Sequence, residues 1–384
     1  MIYFDNAATT LKKPPEVAEA VAQAINTFGG VGRGAHTASV TASMVVYETR
    51  VQLAELFNAP SPARVSFTLN ATEALNVVLF GLLNAGDHVI TTAASHNSIL
   101  RPLYALQRGG VELSIVSLSG LATLDYDELE SLFKSNTRAV VMTHASNLTG
   151  DVYDLSRVAA CCKERGVLLV IDAAQTAGVI PLDMKKDGID VLIFTGHKSL
   201  FGPQGTGGLC VAEGIDIPPF KVGGTGTNSF DHLHPNWMPE SLEAGTLNAH
   251  GIAGLSAGLS YIRRSGVEAV YNKTNGLTNR FEEGISAIEG IRIYGGHADV
   301  DRCGIVALNL GATDSALVSD ILSAEYDIAT RAGTHCAPLM HEALGTVNQG
   351  AVRFSFSHLN TYDEIDAGVF ALQEISERLR SSGI

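Results

Sequence analysis

The amino-acid sequence predicts an α/β protein, with a large, mostly parallel seven-stranded sheet sandwiched by helices and a smaller α+β domain. From about residue 15 to about residue 260, short apolar runs alternate with amphipathic stretches. The apolar runs are rich in β-branched residues and lack strict alternation, as strands covered on both faces do. Strand–helix alternation of this kind is typical of a parallel sheet with helical crossovers. After about residue 262 the pattern changes to longer helices and fewer strands.

Each element follows from a local pattern in the sequence. Seven apolar runs predict the strands of the large sheet, at residues 63–68, 88–92, 112–117, 139–143, 167–171, 191–194 and 208–211. Helical patterns lie between them, including residues 73–83, 126–133 and 155–163. In the later part, helices are predicted at 267–289, 315–325 and 362–380, and strands at 291–294, 305–310 and 351–355. We therefore expect a large domain at residues 15–262 and a small domain formed by residues 1–14 and 263–384.

Composition and charge narrow the class of protein. The 384 residues are 46% hydrophobic and carry a formal net charge of −14. This acidity argues against a nucleic-acid partner and against an anionic membrane surface, because no excess of Lys or Arg exists to neutralise phosphates. No basic region precedes an apolar stretch at the amino terminus, and no run approaches the length of a transmembrane span. A cytoplasmic location is therefore expected.

The cysteine pattern excludes two further classes. The five cysteines are an odd number at irregular spacing and include no CxxC pair. Such a pattern fits neither a disulfide framework nor a zinc site. We expect no metal, and a reducing compartment leaves room for a reactive thiol.

Chemically reactive side chains follow several predicted strands. Asp172, Lys198 and His96 each lie shortly after a strand, and Ala71-Thr72 opens a helix after another. Ligands of such sheets bind beyond the carboxyl ends of the strands, so these residues are expected to converge. A lysine after a strand is usually a solvated surface group, and for Lys198 alone that interpretation would prevail.

The set of residues matches the needs of pyridoxal 5′-phosphate (PLP). This cofactor requires an amine for its aldehyde, a carboxylate that keeps its pyridine nitrogen protonated, and an anion cradle for its phosphate. The N-terminus of a helix supplies such a cradle. Lys198, Asp172 and the Ala71-Thr72 pair fill these three roles from the strand ends of one predicted sheet. The sequence therefore predicts a PLP enzyme.

A series of short motifs extends along nearly the whole chain. They are Tyr3-Phe4-Asp5-Asn6-Ala7-Ala8-Thr9-Thr10, Ala71-Thr72-Glu73-Ala74, Ser146-Asn147, Asp172-Ala173-Ala174-Gln175, Gly196-His197-Lys198, Gly202-Pro203-Gln204-Gly205, Glu243-Ala244-Gly245-Thr246, Arg331-Ala332-Gly333-Thr334-His335-Cys336 and Val352-Arg353-Phe354-Ser355. Each motif is weak by itself. Because all of these motifs occur together and in this order, the chain resembles the class V, fold-type I PLP enzymes. Among them it resembles the type II group of NifS-like cysteine desulfurases and selenocysteine lyases.

The resemblance implies roles around the cofactor ring. Lys198 would carry PLP and later move the Cα proton of the substrate, and Asp172 would pair with the pyridinium nitrogen. Gln175 would contact the phenolic oxygen of the ring, and His96 would stack on its face. The phosphate would be bound by Ala71, Thr72, Thr195 and His197.

The resemblance also implies a homodimer and a substrate site. Thr225 or Thr227 would reach the phosphate of the other subunit. The carboxylate of a small amino-acid substrate would be held by Asn147 and Arg353, with Arg331 and His36 as further substrate-binding residues.

Cys336 distinguishes between the reactions that PLP supports. A lone cysteine is usually a small buried hydrophobe. That interpretation suits the four cysteines that lie in helical or strand patterns, but it suits Cys336 poorly, because its segment is rich in turn residues. Arg331 and His335 would stabilise a thiolate there if the fold places their charges close to it.

With Cys336, the resemblance implies a cysteine desulfurase. L-cysteine would be converted to L-alanine, and Cys336 would receive the sulfur as a persulfide for transfer to an acceptor protein. The nearest alternative is a selenocysteine lyase. Two others are a class V aminotransferase, epimerase or C–S lyase in which Cys336 is incidental, and a scaffold without chemistry. Retention of Lys198, Asp172 and Cys336 argues against the scaffold.

Three features have a second interpretation, and a fourth departs from the family pattern. His96 is also compatible with a satisfied polar residue at a strand end, although stacking on the ring is favoured, and residues 223–226 are equally compatible with a flexible turn. Arg353 would suit a structural ion pair, although its planar, bidentate geometry favours a carboxylate ligand. Ser95 stands where many type II relatives have an acidic residue, which puts a dimer contact at that position in question.

Overall fold

The elements of the fold are taken from a computed structural model, which describes residues 1–32, 34–120, 122–296 and 300–381. The strands are β1 Ile2–Tyr3, β2 Val65–Thr68, β3 His88–Thr92, β4 Glu112–Val116, β5 Leu118–Ser119, β6 Thr123–Leu124, β7 Thr137–Thr143, β8 Leu168–Asp172, β9 Val191–Thr195, β10 Gly207–Val211, β11 Ile291–Tyr294, β12 Ile305–Leu310, β13 Ile328–Ala329 and β14 Val352–Ser355. The helices are α1 Pro15–Thr27, α2 Thr37–Phe57, α3 Ala71–Leu82, α4 Asn97–Arg108, α5 Tyr126–Ser131, α6 Leu155–Arg165, α7 Ala249–Ser265, α8 Val267–Ser286, α9 Ser315–Tyr326, α10 Pro338–Leu344 and α11 Tyr362–Ser381.

A seven-stranded sheet forms the centre of the molecule, in the order β2-β10-β9-β8-β7-β3-β4. Neighbouring strands are parallel except at β10, which is antiparallel to both β2 and β9. Along β7, Val140 and Met142 join one buried apolar cluster, whereas Ala139 and Val141 join the other. Because both faces of the sheet are covered, its strands read as continuous apolar runs. The predicted α/β class and all seven predicted strands are confirmed.

The glycine-rich helix α7 was not among the predicted helices. Its glycines serve close packing. A Cβ at Gly258 would lie 2.3 Å from the backbone oxygen of Leu200. Across the same contact, a Cβ at Gly202, in the turn after Lys198, would lie 2.9 Å from the side chain of Leu255 in α7. Helix α7 thus packs directly against the turn that follows Lys198. Helices α1, α2 and α4 were also not among the helices that the sequence patterns were used to predict.

A second, antiparallel sheet has the order β11-β12-β14. Its core is aromatic, and Phe4, Phe281 and Phe354 are buried in one cluster with residues of α8, α9 and α11. Phe4 reaches this core because β1 pairs with β13 and Asp5 bridges to Ser355. The amino-terminal segment therefore packs with the later part of the chain. The domain bounds at 15–262 and 263–384 stay a prediction.

Two features are absent from the described ranges. None of their helices combines the length and apolar character that a membrane crossing requires. Within the same residues, no group of three or more His, Cys, Asp or Glu side chains could hold a metal ion.

Candidate active site

A cavity of about 220 Å³ lies where β7, β8 and β9 end. Twelve of the fourteen residues predicted for the site line it, namely Ala71, Thr72, His96, Asn147, Asp172, Gln175, Thr195, His197, Lys198, Arg331, Cys336 and Arg353. The carboxyl ends of parallel strands meet at one edge of a sheet, which is why residues far apart in sequence converge here.

Asp172 and Lys198 both line this cavity, and the charge of each shifts the pKa of the other. Asp172 is the last residue of β8, and its Oδ1 accepts a hydrogen bond from the backbone N–H of Ala174 at 2.9 Å. Burial raises the pKa of Asp172, and the Ala174 N–H and the charge of Lys198 oppose that effect. Burial lowers the pKa of Lys198 to about 8, and Asp172 opposes this shift. A lysine with such a pKa has an appreciable fraction of free amine near neutral pH.

A chain of hydrogen bonds joins Thr72 to His96. Thr72 is in the first turn of α3, and its Oγ1 lies 2.7 Å from Oγ of Ser98. The Ser98 hydroxyl also lies 2.9 Å from Nδ1 of His96, and the Ser98 backbone N–H donates to the same nitrogen at 3.0 Å. Ser98 was not among the predicted residues. Its position two residues after a histidine N-cap is the signal that would have found it.

Thr195 is the last residue of β9, and His197 lies on the turn between β9 and Lys198. The hydroxyl of Thr195 is buried and has no hydrogen-bond partner among the described residues. His197 Nδ1 lies 3.1 Å from Oγ1 of Thr9, and its backbone oxygen accepts from the Thr10 N–H at 3.0 Å. Burial lowers the pKa of His197 to about 4, and Lys198 adds to that effect. The amino-terminal segment thus fixes the turn that presents Lys198.

Gln175 is buried beside Asp172, three residues further along the chain. Its Nε2 donates to the backbone oxygen of Ala7 at 3.2 Å. Ala7 and Ala8 line the cavity as well, so the Asn6-Ala7-Ala8 motif forms part of its wall. The sequence had marked this motif only as a sign of family resemblance.

Arg353 combines the two interpretations that the sequence left open. It is 2% exposed, and its Nη2 lies 2.8 Å from Oδ1 of Asp5 in an ion pair. Its Nη1 donates to the backbone oxygen of Asn147 at 2.9 Å, while its Nε is buried without a partner among the described residues. Arg353 is therefore a structural ion-pair arginine that also lines the cavity. Arg331 lines the cavity too, is exposed, and forms no ion pair with a described residue.

The Cys336 loop closes one side of the cavity. Cys336 is partly exposed, whereas the other four cysteines are buried. His335 differs from expectation. Its Nε2 lies 3.1 Å from the backbone oxygen of Arg331, and burial lowers its pKa to about 3. The ring is therefore neutral in ordinary buffers and supplies no positive charge to a thiolate at Cys336.

Thr225 and His36 lie outside this cavity in the single chain. Thr225 lines a separate cavity of about 280 Å³ beside the buried ion pair of Arg50 and Glu243. His36 is the exposed residue that precedes α2. The role expected of Thr225 depends on a second subunit. The assignments of Thr225 to the phosphate and of His36 to the substrate both stay predictions. Ser95, the departure from the family pattern, is buried, and its hydroxyl bonds to the hydroxyls of Thr91 and Thr92 at 3.0 and 3.3 Å.

Comparison with known proteins agrees with this geometry. The family model described as Aminotransferase class-V matches residues 2–367. A probable cysteine desulfurase from Pyrococcus abyssi is 33% identical, over 100% of this chain and 96% of its own length. A cysteine desulfurase from Cronobacter sakazakii is 32% identical, over 99% of this chain and 94% of its own.

Solved structures share the fold. The apo structure of a cysteine desulfurase from Thermococcus onnurineus superposes with a TM-score of 0.92 at 32% identity, covering 98% of this chain and 95% of that one. The cysteine desulfurase CsdA from Escherichia coli gives 0.86 at 30% identity, covering 98% and 94%.

Proposed function

This chain belongs to the class V aminotransferase family, and we propose that it is a PLP-dependent cysteine desulfurase. L-cysteine is its substrate, L-alanine its product, and Cys336 receives the sulfur as a persulfide. One observation carries the proposal, which is that Cys336 lines the same cavity as Lys198 and Asp172. The relatives that carry the name cysteine desulfurase, at full length, support the same reaction.

The polar groups of the cavity fit PLP. The Oδ2 atom of Asp172 forms no hydrogen bond with a described residue, which leaves it for a protonated ring nitrogen. The buried Thr195 hydroxyl also lacks a partner among the described residues and is suited to a phosphate oxygen. At the start of α3, Asn70 caps the N–H of Glu73, so the first N–H groups of the helix remain for an anion. Thr72 and His197 complete this set.

When bound, PLP supplies an electron-withdrawing ring that stabilises negative charge at the Cα atom of an amino acid. Asp172 keeps the ring nitrogen protonated. Lys198, with a pKa of about 8, takes the Cα proton as a free amine and returns it later. The Cys336 thiolate forms a bond to the substrate sulfur as the bond between that sulfur and Cβ breaks. The electron pair of the broken bond stays with the carbon skeleton, which takes up at Cβ a proton equivalent to the one that the Cys336 thiol lost and leaves as alanine.

Two guanidinium groups are candidates for the substrate carboxylate. Arg353 has two of its nitrogens engaged by Asp5 and Asn147, which fixes its position and leaves Nε. Arg331 has no ion-pair partner among the described residues and is held by backbone bonds to Arg353 at 3.3 and 2.8 Å. We propose that both arginines bind the substrate carboxylate, and that Arg331 contributes more to this binding than the sequence suggested.

A homodimer and a sulfur acceptor complete the proposal. Helix α2 exposes Val40, Met44 and Tyr47 on one side, and Phe230 and Leu233 are 100% and 84% exposed. Apolar side chains of this size are typical of a protein interface, and Phe230 follows Thr225 closely. Sedimentation should find a dimer that a Phe230→Asp, Leu233→Asp variant converts to monomer. A cytoplasmic location stays a prediction from the sequence.

The function is tested by assaying alanine and persulfide from L-cysteine with the wild type and Cys336→Ala. The wild type should form both products in equal amounts, and Cys336→Ala should form neither. Cys161→Ala is the matched control, because Cys161 is a buried residue of α6 away from the cavity, and it should behave as wild type. Full desulfuration of cysteine by Cys336→Ala would sink the proposal, and pyruvate or a keto acid as product would favour another class V reaction. Retained activity of Cys336→Ala on selenocysteine would be the expected type II behaviour.

A further inference from the structure

The backbone at Cys336 has an unusual conformation. His335 has φ of 51° and Cys336 has φ of 56°, so two successive residues occupy the left-handed region. Side chains with a Cβ disfavour this region; histidine tolerates it better than most residues, and cysteine is not among those enriched there. Such a conformation persists only where surrounding contacts determine it.

Two hydrogen bonds from residues outside the loop hold this backbone. The side-chain Nδ2 of Asn147 donates to the carbonyl oxygen of His335 at 2.7 Å. The backbone N–H of Asn97 donates to the carbonyl oxygen of Cys336 at 2.8 Å. Each of the two left-handed residues thus has its carbonyl fixed by one asparagine.

The base of the loop is fixed as well. Gly333 and Ala351 exchange backbone hydrogen bonds at 3.2 and 3.1 Å. Gly350 has φ of 68°, and a Cβ there would lie 2.9 Å from the Cα of Gly333. The base of the loop is therefore held beside the residues that precede β14, and the hydrogen bonds from Asn97 and Asn147 act on the conformation at its tip.

Asn97 occupies a special place in the fold. It is the first residue of α4, and His96, the N-cap, immediately precedes it. The first N–H groups of a helix have no partner within the helix, and here Cys336 uses one of them. The backbone of Cys336 is thereby hydrogen-bonded to the same end of α4 that His96 caps.

We propose that Asn97, through its backbone N–H, and Asn147, through its side chain, are positioning residues that hold Cys336 in a left-handed backbone facing the cavity. Without them the loop relaxes toward extended or right-handed conformations, and the thiol leaves its place opposite the substrate sulfur. The inference rests on the proposed function only in making Cys336 the thiol that receives sulfur.

The substitution Asn97→Pro removes this one hydrogen bond. Proline lacks the N–H and is well suited to the first position of a helix. His96 has φ of −66° and ψ of 155°, which a residue before proline readily adopts. Asn97→Ala changes the side chain and keeps the N–H, so it is the conservative counterpart. Asn147→Ala removes the second bond and gives an independent variant should Asn97→Pro fail to fold.

The measurement is the rate at which iodoacetamide alkylates Cys336 in the purified full-length protein without substrate, followed by mass spectrometry of the Cys336 peptide. Buried Cys210 is the internal reference for global unfolding. We expect Asn97→Pro and Asn147→Ala to react roughly fivefold faster, the factor that one typical hydrogen bond gives. Asn97→Ala should react at the wild-type rate.

Steady-state kinetics add a second readout. Asn97→Pro should lower kcat for alanine formation more than it raises KM for cysteine, because the substrate site is intact and the thiol is misplaced. Wild-type alkylation rates in both Asn97→Pro and Asn147→Ala would overturn the inference. Because alkylation needs no turnover, that result would leave the desulfurase proposal standing, and an inactive wild type would leave this inference standing.

Discussion

The Nδ1 atom of His96 lies 3.0 Å from the backbone nitrogen of Ser98 and 2.9 Å from its hydroxyl. Because a backbone N–H can only donate, Nδ1 accepts, and the proton of the neutral ring is on Nε2. Burial lowers the pKa of His96 to about 4, and the charge of Lys198 adds to the shift. The ring is therefore neutral at physiological pH, with its N–H directed away from Ser98. The same serine hydroxyl reaches Thr72 at 2.7 Å, so one side chain orders both a ring-stacking and a phosphate-binding candidate.

Replacing Ser98 by Ala should weaken PLP binding about fivefold, because it removes one hydroxyl bridge worth about 1 kcal/mol. The N–H bond to His96 remains, so His96 keeps its tautomer. Equilibrium titration of the apoprotein with PLP measures the effect. Ser95→Ala is the control, because its hydroxyl contacts only Thr91 and Thr92 among the described residues, and it should leave PLP affinity unchanged. Equal weakening in both variants would contradict the bridging role.

The pKa of Lys198 predicts a pH-dependent stability of the apoprotein. Burial lowers this pKa from 10.5 to about 8, so between these values the unfolded chain binds more protons than the folded one. Stability from this group therefore rises as the pH increases from about 8 to 10.5. At pH 7 Lys198 is mainly charged in both the folded and the unfolded state. Burial of that charge destabilises the folded state. Lys198→Met should raise the Tm of the apoprotein at pH 7 and much less at pH 10. A gain that does not change with pH would refute the assignment.

The ion pair between Arg353 and Asp5 should contribute strongly to stability. Asp5→Ala leaves a guanidinium that is 2% exposed without its carboxylate, a change that typically costs about 3–5 kcal/mol. Urea denaturation of the apoprotein measures it. Asp366→Ala removes a half-exposed carboxylate from Arg280 and should cost less than about 1 kcal/mol. Similar losses in the two variants would show that burial of Arg353 does not determine the effect.

A second buried pair allows a test by double substitution. Glu243 receives two hydrogen bonds from Arg50, at 2.8 and 2.7 Å, and one from the backbone of Phe67 at 2.6 Å. Glu243→Leu should cost about 3–5 kcal/mol, because the charge of Arg50 stays buried and unpaired. The double variant Arg50→Met, Glu243→Leu should recover a large part of that loss in the same denaturation assay. Additive losses would argue that the pair carries no mutual stabilisation.

The fold was predictable where local patterns agree with tertiary position. The strands of the large sheet are buried on both faces, so each appears in the sequence as an apolar run. Helices α2 and α7 escaped prediction for opposite reasons. Exposed Met44 and Tyr47 blur the amphipathic pattern of α2, and the glycines of α7 exist for contacts with a distant turn. In α7, contacts with a distant turn decide the sequence, and no local rule detects them.

The composition of the site was predictable because chemistry restricts residue types. An amine, a carboxylate and a helix N-terminus are the groups that PLP requires, so these residue types could be predicted at strand ends whatever their exact positions. Roles that depend on partners were not predictable. Ser98 acts through two other side chains, and His335, expected to bring charge to Cys336, is neutral because it is buried.

The sequence by itself determined the α/β class, the strand ends that carry Lys198 and Asp172, and the thiol at Cys336. Only the tertiary structure decided how these groups are held and charged. Asn97 and Asn147 are more than 180 residues from the cysteine loop they contact, as the separation of Asn147 from His335 by 188 positions illustrates. The left-handed backbone at Cys336, the neutral ring of His335 and the lowered pKa of Lys198 all arise from burial and from such long-range hydrogen bonds. Periodicity and motif spacing record neither, because both depend on which distant residues the fold brings into contact.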